Sequence, residues 1–150
     1  MSEIKRLLLI QCLNYAEERI KNAQDAILSA RDAATNDTKS SAGDKYETTR
    51  EMMQQEISRN QKLLDEAQRI KYSLSTIHSE SKSTIAQSGS LVITSEGNFF
   101  IAVSAGQITI KEKLFFAISP ASPIGSKLSG LQKGDTFKFN GKNFEILEVS

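Results

Sequence analysis

The chain has 150 residues, 39% of them hydrophobic and 25% charged, with 19 basic against 18 acidic side chains. That length holds one ordinary domain, or a small core plus an extended element, and excludes a large multilayer enzyme fold. A formal net charge of +1 leaves no sequence-wide basic footprint for free nucleic acid or an anionic membrane surface.

The N-terminal apolar run, Leu7-Leu8-Leu9-Ile10, gives way to Gln11, Cys12 and Asn14. It falls far short of the roughly 20 apolar residues of a membrane helix. It also lacks a signal peptide's apolar region and small-residue cleavage site. Cys12 is the only cysteine and His78 the only histidine, so neither an internal disulfide nor a zinc-ligand spacing can be written. These features predict a cytoplasmic protein without membrane, disulfide or structural metal.

From Ile4 to Ile77 there is no proline, and the only glycine is Gly43. Leu9, Leu13, Ala16, Ile20, Ala23, Ile27, Ala30 and Ala34 are spaced 4-3-4-3-4-3-4, a repeat of coiled-coil type. Tyr46, Thr49, Met53, Ile57, Asn60, Leu64, Ala67, Ile70, Leu74 and Ile77 keep a looser 3/4 rhythm. Between them, Asn36 to Gly43 reads as a loop, with Ser41 and Asp44 spaced as an N-cap and its acidic partner. A short loop between long amphipathic helices predicts an antiparallel coiled-coil hairpin. At 1.5 Å per residue, arms of about 30 residues make a rod of roughly 45 Å. The small seam residues near its tip imply a slender end that buries little apolar area.

After a polar linker the grammar changes. Ser90–Thr94 and Asn98–Val103 flank Ser95-Glu96-Gly97, a hairpin signal with glycine at the turn. Gln107–Ile110 and Lys113–Ile118 add two strands, and Thr136–Phe139 with Phe144–Val149 form a second hairpin across Asn140-Gly141. Ser122 and Pro123 suit the N-cap and first position of a short helix that Gly130 closes. The predicted class is α+β: a hairpin over residues 1–80 with its tip at about 36–43, a linker over 81–89, and a small antiparallel β domain with one short helix over 90–150.

Ser122-Pro123-Ile124-Gly125-Ser126-Lys127-Leu128-Ser129-Gly130, followed by Lys133-Gly134-Asp135, resembles a stretch of the C-terminal domain of GreA/GreB transcription elongation factors. Ile146-Leu147-Glu148 is similar to that family's last strand. Asp44-Lys45-Tyr46-Glu47 with Arg50-Glu51 is similar to its segment after the hairpin tip. The architectural likeness spans nearly the whole chain, whereas the specific motifs cover about 25 residues.

The resemblance implies an FK506-binding-protein-like C-terminal domain, without isomerase activity, that binds RNA polymerase. It also implies a coiled coil that enters the polymerase's secondary channel. Ser119, Ala121, Ser122 and Pro123 would face the polymerase. Carboxylates at the tip would help hold a second magnesium ion at the polymerase's own active centre, where cleavage of backtracked RNA occurs. The chain alone would bind no cofactor and hold no catalytic residue.

At the tip the sequence departs from the family. A cleavage-competent tip reads Gly-Asp-x-x-Glu-Asn-Ala-Glu-Tyr; anchored on Tyr46, its Asp falls on Lys39 and its Glu on Ala42. The acids nearby are Asp37, Asp44 and Glu47, beside Lys39 and Lys45. Asp44 and Glu47 equally suit a helix N-terminus, and Asp37 suits a turn. The favoured reading is a Gre-like regulator without strong stimulation of RNA cleavage. Two alternatives stand beside it: a cleavage factor using Asp37 and Asp44, and a coiled-coil interaction module unrelated to polymerase.

Two further constellations have ordinary explanations. Cys12 and His78 could approach one another across an antiparallel hairpin, but a helical rod offers no walled pocket or oxyanion hole. Phe99, Phe100, Phe115, Phe116, Phe137, Phe139 and Phe144 suit the core of a small sheet, and Lys111, Lys113, Lys138 and Lys142 add only a thin basic accompaniment for base stacking.

Overall fold

The computed structural model describes the backbone of residues 2–40 and 44–150, and the side chains of residues 3–35 and 48–150. The protein is α+β: helices α1 (Ser2–Ser40) and α2 (Asp44–Ser75) precede a six-stranded sheet. The chain forms two compact units. One comprises Ala16–Lys71; the other joins the residues up to Tyr15 with Tyr72–Ser150.

Helix α1 reaches Ser40, beyond the Asn36 at which the sequence reading began its loop. Asn, Asp, Thr and Ser each cost a helix only tenths of a kcal/mol, about 0.7 at most, and no Gly or Pro intervenes before Gly43. The expected cap Ser41, and Ala42 with it, lie outside the described residues.

Within Ala16–Lys71, α1 buries Ala16, Ala23, Ile27 and Ala30, while α2 buries Asn60 and Ala67. Ile20, Thr49, Met53, Ile57, Leu64 and Ile70 are half-buried, so the seam positions expected here lie on the sheltered faces. Lys71 Nζ lies 3.7 Å from Glu17 Oε1, and Ala23, Asn60 and Ala67 line one small cleft. Asn60, the buried polar member of the seam among the described residues, donates through Nδ2 to the Glu56 carbonyl at 2.9 Å and to Glu56 Oε1 at 3.1 Å.

Upstream of Ala16 the buried positions are Lys5, Leu8 and Cys12, one residue before the expected Leu9 and Leu13. A straight helix drifts about 20° per heptad from a 3.5 repeat. This end of α1 also belongs to the unit that contains the sheet, so the buried stripe shifts with the neighbour it meets.

The sheet contains β1 (Leu91–Thr94), β2 (Gly97–Ile101), β3 (Gly106–Ile110), β4 (Lys113–Ile118), β5 (Thr136–Phe139) and β6 (Lys142–Val149), in the order β3-β4-β2-β1-β6-β5. It is mixed rather than antiparallel, because β2 and β4 run parallel with Phe99 opposite Phe116. The β3–β4 hairpin explains the difference. Apolar β4 takes the inner position beside β2, and β3, with Gln107 and Thr109, is left at the edge.

The expected Asn140-Gly141 turn has positive φ at both residues, 49° and 79°, as a type I′ turn requires. The first hairpin turns differently. Thr94 pairs with Gly97, so Gly97 starts the strand instead of occupying the turn. Thr94 Oγ1 closes that turn, accepting from the N–H groups of Glu96 and Gly97 and donating to the Gly97 carbonyl at 2.8 Å.

One face of the sheet packs Val92, Phe99, Ile101, Phe144 and Ile146 with Leu128 and Ala86. Leu128 comes from helix α3 (Pro123–Leu128), and Ala86 from the expected polar linker. On the other face Phe100 and Leu91 are opposite one another in register and fully buried. The helix ends in the same unit supply Leu8, Cys12 and Leu74, equally inaccessible to solvent. Among the described residues no helix is long and apolar enough to cross a membrane.

Candidate functional site

Ser119, Ala121, Ser122 and Pro123 lie together where β4 passes into α3. Ser122 is extended (φ −65°, ψ 159°) and caps the helix: its Oγ accepts from the Gly125 N–H at 3.1 Å. The same hydroxyl donates to the Ser119 carbonyl at 2.6 Å. Ser119 Oγ in turn accepts the Ala121 N–H at 3.1 Å. Ser119 and Ser122 thereby fix the backbone, while Ala121 and Pro123 remain exposed. The loop is a stiff ledge that presents a methyl group and a pyrrolidine ring to solvent.

The rest of the motif has structural work of its own. A Cβ on Gly125 would collide with the Ser119 carbonyl oxygen, so any side chain there displaces the ledge. Gly130, at φ +88°, ends α3, and its N–H donates to the Ala86 carbonyl at 2.8 Å. Asp135 Oδ2 accepts from the Gln132 N–H at 2.8 Å, closing the turn that leads into β5.

The side chains of Asp37, Asp44 and Glu47, and of Lys39, Lys45 and Tyr46 beside them, lie outside the described residues. Among the described residues no group of three or more His, Cys, Asp or Glu is placed to hold a metal ion.

Cys12 is fully buried, and that burial pushes its thiol up to about 11, away from the reactive thiolate. His78 is exposed. A thiol held neutral in the core is not the nucleophile of a Cys–His pair. The phenylalanines pack on one another: Phe137 stacks on Phe144 at 4.8 Å between ring centroids, and Phe99 on Phe116 at 5.7 Å. These rings fill the sheet's core.

A cleft of about 170 Å³ lies elsewhere in the same unit, lined by Lys5, His78, Ser81, Lys82, Ser88 and Gly89 among others. Lys5 is 3% exposed, and its Nζ donates to the Ser81 carbonyl at 2.6 Å. Burial, and then the charge of Lys82, lower its affinity for a proton. Sequence reasoning did not find this cleft, because its parts are some 70 residues apart and Lys5 lies before the seam that begins at Leu9. Comparison with protein-family models, with curated proteins and with solved structures finds no match to this chain.

Proposed function

We propose that the chain is a Gre-like regulator of transcription elongation, which binds RNA polymerase through the ledge formed by Ser119, Ala121, Ser122 and Pro123. The six-stranded sheet with α3 is read as the FK506-binding-protein-like domain of that family. The two long helices are read as an antiparallel coiled coil that enters the secondary channel. The Glu17–Lys71 ion pair and the cleft shared by Ala23, Asn60 and Ala67 support the antiparallel reading.

The observation that carries the proposal is the ledge itself. The Ser-Pro-x-Gly motif that gave the resemblance spends its serine hydroxyl and its glycine on holding the loop. Pro123, and Ala121 just before the motif, are left uncovered, while Ile124 packs against the core. A rigid loop with exposed apolar groups is a suitable docking element, since no ordering cost falls on the protein at binding.

Lys39 and Ala42 at the positions matched to the family's tip carboxylates favour a regulator that occupies the channel without strongly stimulating RNA cleavage. The test uses stalled elongation complexes supplied with magnesium. The proposal expects the protein to associate with the complex and leave the RNA at its original length. Shortened RNA, with the effect lost in Asp37→Asn or Asp44→Asn, would move the assignment to a cleavage factor.

A further inference from the structure

We propose that the cleft lined by Lys5, Ser81, Lys82 and Ser88 binds a small phosphate-type oxyanion, with the two lysine ammonium groups as its principal contacts. This inference is independent of the polymerase reading.

Lys5 lines this cleft. It is more than nine-tenths buried, and no carboxylate lies within ion-pair distance of it among the described residues. An ammonium has three N–H donors. The Ser81 carbonyl takes one of them, and no other described protein group takes the remaining two. Buried charges are ordinarily paired, because desolvation without compensation is costly. A bound anion is the missing partner.

A purely structural role covers only part of this. A cation beyond the C-terminus of α2, which ends at Ser75, gains from the helix dipole and from the carbonyl it holds. That role gives no reason for a second lysine on the same cleft, close enough for its charge to be felt at Lys5. The cleft has no acidic lining residue, and Ser81 and Ser88 add exposed hydroxyls. Clusters of this kind select oxyanions by charge and by several short hydrogen bonds at once.

Size narrows the ligand. At about 170 Å³ the cleft is smaller than the roughly 300–1,000 Å³ of sites that enclose drug-sized molecules. It suits a phosphate or pyrophosphate group, either free or at the end of a nucleotide whose remainder stays outside.

The test is isothermal titration of the full chain with sodium pyrophosphate, at ionic strength held constant with chloride. One saturable site is expected. Lys82→Gln, at an exposed position that should not disturb folding, is expected to weaken binding about tenfold, the loss typical of one charge-assisted contact. Lys5→Gln is expected to abolish binding, and Lys142→Gln, at the start of β6 and outside the cleft lining, to leave it unchanged. A nucleoside triphosphate that binds no tighter than pyrophosphate assigns the site to a free oxyanion; tighter binding assigns it to a nucleotide's phosphates. The proposal is overturned if pyrophosphate shows no saturable binding. It is equally overturned if Lys82→Gln binds like the wild type, or if Lys142→Gln weakens binding as much as Lys82→Gln does.

Discussion

The two units bury very different side chains. The unit that contains the sheet hides Phe100 and Phe115, together with Leu8, Leu74, Leu91 and Leu128. The Ala16–Lys71 unit hides Ala16, Ala23, Ala30 and Ala67, with Ile27 its one large buried apolar group among the described residues. A buried aromatic removes about 150–250 Å² from water, worth several kcal/mol at about 25 cal/mol per Å², and an alanine removes far less. The two units divide the labour. Stability is concentrated where the ledge must be held rigid, whereas the helical segment keeps a narrow contact and a charged exterior.

The largest expected effect tests the first half of that statement. Phe100→Ala empties a fully buried site and should cost about 4 kcal/mol in urea unfolding. A loss near that of a surface substitution would break the comparison. Gly125→Ala comes next. Its methyl group meets the Ser119 carbonyl, and the expected cost is roughly 2–3 kcal/mol, with polymerase binding reduced in the protein that still folds.

A comparable effect should appear with pH. The thiol of Cys12 titrates near 9.0 when unfolded and near 11 in the folded protein. Its contribution is therefore fully present below pH 9 and is lost as pH rises toward 11, up to roughly 3 kcal/mol. Urea midpoints measured from pH 8 to 11 should fall in the wild type and fall less in Cys12→Ala. A thiol reagent at pH 8 should modify Cys12 only once the protein is unfolded.

The smallest effect belongs to the helical unit. Glu17→Gln removes an ion pair whose side chains are both more than half exposed, and it should change stability by less than about 1 kcal/mol. A larger loss would mean that this pair contributes far more than an exposed ion pair ordinarily does.

What could be read from the sequence follows from the range of the interaction involved. The cap at Ser122-Pro123, the stop at Gly130 and the Asn140-Gly141 turn are local chemistry, and all three appear where expected. The Lys111-Glu112 turn also has positive φ at both residues, 50° and 67°, without glycine or asparagine to announce it. Here the pairing of Ile110 with Lys113 imposes a conformation that neither residue signals.

Non-local arrangements were not legible. The parallel β2–β4 pair depends on which strand of a hairpin faces inward, and the alternation of residues along each strand does not encode that choice. The shift from Leu9 and Leu13 to Leu8 and Cys12 reflects a neighbour that the heptad pattern cannot see. In the ledge, the identity of Ser122 and Pro123 was legible, but the bonds from Ser119 that stiffen the loop were not.

The most direct test of the account is capture of core RNA polymerase from the source cell on the purified, tagged protein at moderate salt. Wild type is compared with Ala121→Arg, which places a long charged side chain on the ledge at an exposed position. The account predicts that wild type retains polymerase and that Ala121→Arg, with unchanged circular dichroism, loses it. Equal retention by both proteins, or none by either while both are folded, would contradict docking through this ledge.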